Sequence, residues 1–321
     1  MGEKTIEKNA ITEGVIWKQL LIFFFPIMLG TLIQQLYTTV DTIIVGRFVG
    51  KAALASVGGP AAVLSTIVVT FFNGLANGAA VIIAQYYGAK DRKSLHVGLH
   101  TAYLFSIVIS LIVSLVGTVL TPWLLTIMNT PQDMMADSTI YLRIYFMGIL
   151  FTLVYNMGAA IMRAVGDSRR PLLYLLVCCV MNIILDIVMV VGMKMGIAGA
   201  ALATVISQCV SAILVTWSLT RAYDTMKLKF RELRMDARVL KKELKIGVPG
   251  ALQACAYGVT NVVIQASVNS FGTDTAAGWA AYGKLDLIFW TVSSALGAAV
   301  TTFAGQNYGA GKMDRYIRAS G

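Results

Sequence analysis

The sequence predicts an all-α integral membrane protein, and three observations support this fold class. The 321 residues are 57% hydrophobic and only 13% charged, with a mean hydropathy of +0.72. A soluble domain carries about 25% charged residues, so this composition is typical of membrane proteins. Eight apolar stretches are each long enough to cross about 30 Å of hydrocarbon. Most of the basic residues lie in the connections between these stretches.

The predicted helices follow one another along almost the whole chain. They cover, in order, residues 17–46, 53–86, 95–121, 138–164, 171–193, 196–222, 245–271 and 276–308. Several are longer than about 25 residues, which predicts helices that are tilted, kinked or extended beyond the bilayer. Pro26 and Pro249 lie early in the first and seventh helices, where a proline bends a membrane helix and frees a carbonyl group.

Basic residues are concentrated on one side of the predicted helix bundle. Twenty-one Lys and Arg residues lie at the N-terminus, in the even-numbered connections and after the eighth helix, against Arg47, Lys51 and Lys194 on the other side. Because basic loops stay in the cytoplasm, both termini of this chain are predicted to be cytoplasmic. The predicted location is the cell (inner) membrane, which the chain crosses several times.

The longest polar connection, residues 224–245, contains many of these basic residues. It divides the chain into an N-terminal lobe of six helices (1–223), a basic cytoplasmic linker (224–244) and the start of a C-terminal lobe (245–321). The linker either binds lipid headgroups or is an amphipathic segment that enforces the topology.

A weak duplication relates residues 18–98 to residues 241–320. Three markers align in register: Pro26 with Pro249, Gly50 with Gly272, and AQYYGAKDR (84–92) with GQNYGAGKMDR (305–315). Six helices separate the copies, so the copies run parallel, as in transporters built from two like halves. The second copy ends after two helices, and we therefore expect the chain to be truncated after its eighth helix.

Three carboxylates, Asp41, Asp186 and Asp286, lie inside apolar stretches. A charge at the bilayer centre costs roughly 2.5–3.5 kcal/mol on insertion scales, so such residues usually contact ions, protons or substrates. Asn182 and Asp186 are four residues apart and share one helix face. Asp286 lies two residues from Lys284 and is either a substrate or ion contact or half of a local charge pair. The pattern predicts a transporter.

Two carboxylates can serve either of two coupling ions. With amide and hydroxyl oxygens they are hard ligands that suit Na⁺, and when close together they can instead share one proton. Structural alternatives stay open for both residues: Asp41 could be an interface residue near Arg47, and Asp186 a hub of structural hydrogen bonds.

Polar residues that dot the first, fourth, seventh and eighth helices are candidate substrate contacts. They are Gln34, Tyr37, Asn156, Gln253, Tyr257, Asn261 and Asp286. They form either a cavity wall, which meets a cationic aromatic substrate through hydrogen bonds and cation–π contacts, or polar contacts between helices, worth about 0.6 kcal/mol each.

Several function classes lack support in the sequence. The net charge of +10 is distributed as a topology signal and does not indicate nucleic acid binding. The four cysteines have no metal-type spacing, and we find no HExxH or GxSxG motif, so no cofactor and no enzyme activity are predicted. A membrane-embedded enzyme is the weaker alternative.

The motifs together resemble the multidrug and toxic compound extrusion (MATE) transporters. They are QQLYTTVDTIIVGRFVG (34–50), ALASVG (53–58), AQYYGAKDR (84–92), RAVGDSRRP (163–171), NIILD (182–186) and GIAGAALATVISQ (196–208). The resemblance implies two six-helix lobes around a central cavity, with the complete first lobe and two helices of the second present here. It also implies an alternating-access antiporter that exports cationic or amphipathic compounds in exchange for H⁺ or Na⁺.

The resemblance further implies roles for individual residues. Asp41, Asn182, Asp186 and Thr204 match the cation-coupling cluster of the archaeal-type branch, which is a possible Na⁺ site. We expect H⁺ to be the coupling ion, with Na⁺ competing for the same cluster. The resemblance favours Gln34, Tyr37 and Asn156 among the candidate substrate contacts.

The resemblance also bears on partners and on one further alternative. The expected partners are small organic, cationic substrates and membrane lipids, and the full-length protein is expected to be monomeric. The same superfamily contains lipid-linked oligosaccharide flippases, whose cavities tend to be strongly basic. The only candidate intramembrane bases here are Arg143 and Lys284, which disfavours a pyrophosphate-bearing substrate.

Overall fold

A computed structural model describes residues 11–221, 223, 226–270 and 273–320. The regular elements of the described residues are all helices, which confirms the predicted all-α fold class. In chain order they are α1 (Ile16–Phe48), α2 (Lys51–Ser56, a π-helical turn Val57–Ala61, and Ala62–Gly88), α3 (Arg92–Ile127), α4 (Gln132–Ala164), α5 (Arg169–Asp186, continued by a π-helical segment Ile187–Gly192), α6 (Gly196–Arg221), a 3₁₀ turn (Phe230–Glu232), α7 (Ala237–Ser270), α8 (Thr273–Gly309) and α9 (Met313–Ser320).

The eight predicted helices correspond to α1–α8. Helix α7 begins at Ala237, eight positions before the predicted start at 245. Among the described residues, seven helical stretches are long and apolar enough to cross a membrane, and none of them lies in α7. The first turns of helix α7 contain several Lys and Arg residues, and the polar residues Gln253 and Asn261 follow further along the helix. Residues 1–10 and 224–225, which belong to the predicted first lobe and linker, lie outside the described residues.

The start of α1 and the ends of α4 and α8 lie on one side of the bundle. Arg315 donates hydrogen bonds to the carbonyls of Gly14 and Ile11, and Gln306 donates one to the carbonyl of Ala164 at 2.7 Å. We call this side, which also carries the start of α3 and residues 226–236, the basic side.

The interior of the first six helices depends on glycines where α4 crosses its neighbours. A Cβ atom at Gly148 would lie 2.3 Å from the Val205 side chain, and one at Gly158 would lie 2.0 Å from that of Val215. Both valines are on α6, so α4 and α6 pack at a distance that excludes a methyl group at either position.

Residues 226–236 pack on the start of α3. The Lys229 amide donates to His100 Nε2 at 3.0 Å, and the Asp236 amide donates to Thr101 Oγ1 at 3.1 Å. Glu232 lies 2.9 Å from His96 Nε2. These contacts join the linker to the first six helices and set where α7 begins.

Helices α7 and α8 contact α2 on the basic side through close backbone approaches. A Cβ at Gly78 would lie 2.4 Å from the Gly247 amide nitrogen on α7. On α8 the contact is reciprocal: a Cβ at Gly88 would lie 2.0 Å from the Gln306 carbonyl oxygen, and one at Gly309 would lie 2.0 Å from the Gln85 carbonyl oxygen. The two copies of the repeated motif therefore pack directly against each other.

Candidate functional site

Four of the predicted site residues are buried on three helices of the first six. Asp41 lies on α1, Asn182 and Asp186 lie on α5, and Thr204 lies on α6. Asp186 and Asn182 are both 0% exposed. Their four-residue spacing places them one above the other on the same face of α5.

The oxygen and nitrogen atoms of this cluster are poorly satisfied. No hydrogen bond from a described residue reaches Asp41 Oδ1, either carboxylate oxygen of Asp186, either side-chain polar atom of Asn182, or Thr204 Oγ1. A buried polar group without a partner costs about 1–3 kcal/mol. The accumulation of six such atoms in one region makes this cluster the candidate site.

The carboxyl groups of Asp41 and Asp186 are close enough to interact directly. Their proximity brings the last part of α1 against the last turn of α5. Two carboxylates at short range repel each other when both are ionised, so the pair favours a bound proton or cation between them.

Two tyrosines lie near the carboxylate pair, and a third packs against one of them. Tyr37, one helical turn before Asp41, lies beside Thr204, and Tyr141 on α4 interacts electrostatically with both carboxylates. The Tyr145 ring stacks on that of Tyr141, with centroids 6.3 Å apart. Neither of the two α4 residues was predicted from the sequence. Their spacing of four residues, in the stretch YLRIY at 141–145, was the available signal.

The backbone changes to π-helical geometry immediately after Asp186. The segment Ile187–Gly192 continues α5, and the Met193 amide donates to the Val188 carbonyl at 2.8 Å, an i to i+5 bond. Single π-helical turns inside α-helices are frequent at functional sites. Here the π-helical segment directly follows Asp186, the last α-helical position of α5, and ends at Gly192.

The donors in this cluster fit a small hard ion or a proton. Carboxylate, amide and hydroxyl oxygens are the ligands that hard cations prefer. The buried oxygens without hydrogen-bond partners are available to bind such a cation. Within the part of the chain that the structure describes, no three His, Cys, Asp or Glu side chains converge on one point.

The predicted substrate contacts are more dispersed. Gln34 is exposed, while Tyr37 and Asn156 are partly buried. On α7, Tyr257 is exposed and its ring meets that of Trp290 on α8 edge to face, with centroids 4.9 Å apart. Gln253 and Asn261, the other members of the predicted α7 stripe, are also exposed.

Asp286, on α8, accepts a hydrogen bond from Tyr282 Oη at 3.2 Å. Tyr282 lies one turn earlier on the same helix and is itself exposed. The side chain of Lys284, the predicted alternative partner, lies outside the described residues. Asp286 therefore makes a local contact, and its partner among the described side chains is Tyr282.

Comparison with known sequences identifies similar proteins. The profile of the MatE family matches residues 26–188. The chain is 34% identical over 311 residues to the probable multidrug resistance protein YpnP of Bacillus subtilis, covering 95% of this chain and 68% of that protein. It is 29% identical over 309 residues to the probable multidrug resistance protein YoeA of the same organism, covering 94% and 66%. The chain thus spans about two thirds of the length of these relatives.

Solved structures share the fold. The outward-facing conformation of a multidrug resistance MATE family transporter of the MOP superfamily superposes with a TM-score of 0.89 at 22% identity, covering 97% of this chain and 69% of that chain. A MOP superfamily transporter from Pyrococcus furiosus gives 0.89 at 21% identity with the same coverage. The helical arrangement predicted from the resemblance is therefore confirmed.

Proposed function

Because the chain belongs to the MATE family of membrane transporters, we propose that it exports small organic compounds, cationic or amphipathic in character, in exchange for a cation. The names of its relatives describe multidrug resistance. These relatives are transporters, so the expectation that the chain is not an enzyme is confirmed at the level of the family. The substrate class, the coupling ion and the orientation in the membrane are our proposals.

The buried cluster at Asp41 and Asp186 is the observation that supports exchange. Six of its polar atoms lack hydrogen-bond partners among the described residues, and the carboxyl groups of Asp41 and Asp186 are close enough to repel each other when both are ionised. A cation or proton that binds there satisfies these atoms and removes the repulsion. Because the cluster joins α1, α5 and α6, occupancy of the site changes how these helices pack.

A proton is the simpler occupant of this cluster. It neutralises one carboxylate without further ligands, whereas Na⁺ needs about five or six oxygens, and Asp41, Asn182, Asp186 and Thr204 supply only part of that shell. We propose H⁺ as the coupling ion, with Na⁺ competing for the same cluster. Protonation from the outer side would repack the first lobe and weaken drug binding, and proton release on the inner side would reset it.

The free energy needed to switch between the two transport states favours two carboxylates acting together. A shift in state population from 1:99 to 99:1 requires about 5.5 kcal/mol of differential binding. At about 1.4 kcal/mol per pKa unit, one proton would need a difference of about four pKa units between the two states. A coupled pair divides this demand between two groups.

The orientation follows from charge. We propose that the basic side faces the cytoplasm of a cell (inner) membrane, because Lys and Arg are retained on that side. The site residues of α1 and α5 lie toward the opposite, outer side. A proton arriving from outside would therefore reach the pair first.

The flippase alternative is less favoured by charge placement. Arg143, one of two candidate intramembrane bases, is exposed on α4 and does not belong to the buried cluster. A pyrophosphate-bearing lipid would need several such cations converging on one cavity.

The experiment that tests the proposed function is substitution of Asp186 by asparagine in the full-length protein, assayed by drug export from resistant cells. Asp186→Asn removes titration while keeping the side-chain shape, and it lowers the cost of membrane insertion. We expect export to be lost with normal membrane abundance. Asp133→Asn, in the exposed first turn of α4, is the matched control and should export normally. Full drug resistance in the Asp186→Asn strain would remove this carboxyl from the mechanism.

A further inference from the structure

Glu243 is a buried carboxylate that the proposed exchange site does not use. It lies near the start of α7, on the basic side and before the predicted start of the seventh membrane span. The residue is only 3% exposed. Among the described residues, none offers a hydrogen bond to Glu243 Oε1 or Oε2, and both atoms are buried.

The burial of Glu243 results from the close contact between α2 and α7. A Cβ at Gly78 would lie 2.5 Å from the Glu243 carbonyl oxygen, and a Cβ at Gly247 would lie 2.9 Å from the Leu75 Cα. The contact continues one turn further, where a Cβ at Gly74 would lie 2.4 Å from the Ala251 Cα. The two backbones therefore pack without intervening side chains, and the Glu243 side chain is enclosed at the end of this contact.

Among the described residues, no cation on the helices that pack against α7 pairs with Glu243, whose pKa is raised by burial alone. The titratable groups of these helices on the basic side are Tyr86 and Tyr87 on α2, Arg92, Lys93, His96 and His100 on α3, and Tyr308 on α8, and both Arg92 and Lys93 are exposed to water. On α7 itself the neighbouring cations are Lys241, Lys242 and Lys245, all exposed. Lys242 is directed to the Tyr86 ring, 5.9 Å from its centroid, and His96 pairs with Glu232.

We propose that Glu243 is a proton-binding residue of the contact between α2 and α7, which carries a proton while the two helices pack together and releases it to water when they separate. A buried carboxylate without a hydrogen-bond partner or a counter-charge is strongly disfavoured in its ionised form. Separation of the helices would hydrate the group and allow it to ionise. The inference rests on the proposed exchange cycle only in requiring that α2 and α7 separate on the basic side.

The sign of the pH dependence follows from linkage. Burial raises the pKa of Glu243 from 4.5 to about 8 in the packed arrangement. When the helices separate, the hydrated glutamate keeps a pKa near 4.5. Between these two values the packed arrangement binds more protons than the separated one. Each pH unit of increase in this window therefore lowers the packed-to-separated ratio by up to about tenfold, and the ratio levels off above about pH 8.

The test is a distance measurement that needs neither substrate nor ion gradient. Spin labels are placed at Ala89, directly after α2, and at Lys241 on α7, both exposed, after replacement of the native cysteines by alanine. Pulsed electron resonance on the full-length protein in nanodiscs then gives the packed and separated populations from about pH 6 to about pH 8. We expect the packed-to-separated ratio to fall by more than about tenfold across this range.

Two neutral variants and one control separate titration from folding. Glu243→Gln and Glu243→Met should both keep the packed distance, with a ratio that changes by less than about twofold over the same range. Asp133→Asn, which alters an exposed carboxylate in the first turn of α4, away from the contact between α2 and α7, should keep the slope of the parent protein. An unchanged ratio in the parent, or a slope that persists in both neutral variants, overturns the inference. A slope that is lost in Asp186→Asn and kept in Glu243→Gln also overturns it and leaves the proposed exchange site standing.

Discussion

The reciprocal contact of Gly88 and Gly309 makes a sharp prediction about how the basic side closes. The perturbation is Gly88→Ala, which adds one methyl group to α2. Its Cβ would lie 2.0 Å from the carbonyl oxygen of Gln306 and 2.7 Å from the carbonyl carbon. An ordinary C···O contact is about 3.3 Å or longer, so α2 and α8 must move apart by more than about 1 Å. Because the clash is with backbone, no side-chain rotation relieves it.

The magnitude is that of adding a methylene to a well-packed contact, about 1–3 kcal/mol. This corresponds to about a 5- to 150-fold loss in the population of the packed arrangement. The higher helix propensity of alanine, about 0.5–1 kcal/mol, stabilises α2 equally whether or not α8 is packed against it. It therefore cancels in this ratio, although it raises the stability against unfolding.

The assay is the distance between spin labels at Arg92 and Arg318, which are both exposed on the basic side. We expect Gly88→Ala to shift the distribution to longer distances at every pH. Gly297→Ala is the matched control on α8, because its Cβ would meet open space. Identical distributions for the two variants would refute the argument that this glycine contact sets the closure.

Two further predictions concern packing and topology. Tyr155→Phe removes the hydrogen bond from the buried tyrosine hydroxyl to the Pro171 carbonyl, 3.0 Å long. The carbonyl lies inside α5 and keeps its helical partner, so the free energy of unfolding should fall by the worth of one hydrogen bond, about 0.5–1.5 kcal/mol. Thermal unfolding in detergent measures this, and Tyr308→Phe, at an exposed tyrosine, should be neutral. A cysteine at Arg234 should react with a membrane-impermeant reagent only from the cytoplasmic side, whereas one at Lys51 should react only from outside; labelling of position 234 in intact cells would contradict the topology.

The sequence predicted the helices because their apolar length depends on local composition. All eight predicted helices exist, and the spacing of Asn182 and Asp186 placed both on one face of α5. The parallel repeat also identified residues 84–92 and 305–315 as equivalent segments of the two copies. It did not reveal that these segments pack against each other, because packing depends on how the helices are arranged in space.

The features that escaped the sequence analysis depend on tertiary contacts. Glu243 lies in a stretch rich in lysine, where a carboxylate ordinarily faces water, and only the close approach of Gly78 encloses it. Tyr141 approaches the carboxylate pair through the packing of α4. The π-helical turn after Asp186 leaves no clear mark in composition, since Ile187 and its neighbours are ordinary membrane-helix residues.

The most direct test of proton-coupled export is transport by the full-length protein in liposomes that carry an imposed pH gradient and contain no Na⁺. We predict that the pH gradient alone drives movement of a cationic dye against its concentration gradient, and that Asp186→Asn abolishes this movement. Added Na⁺ should compete with H⁺ and slow transport. Dye movement that occurs only when Na⁺ is supplied would contradict the proton assignment, and dye movement that ignores both ion gradients would contradict the exchange mechanism itself.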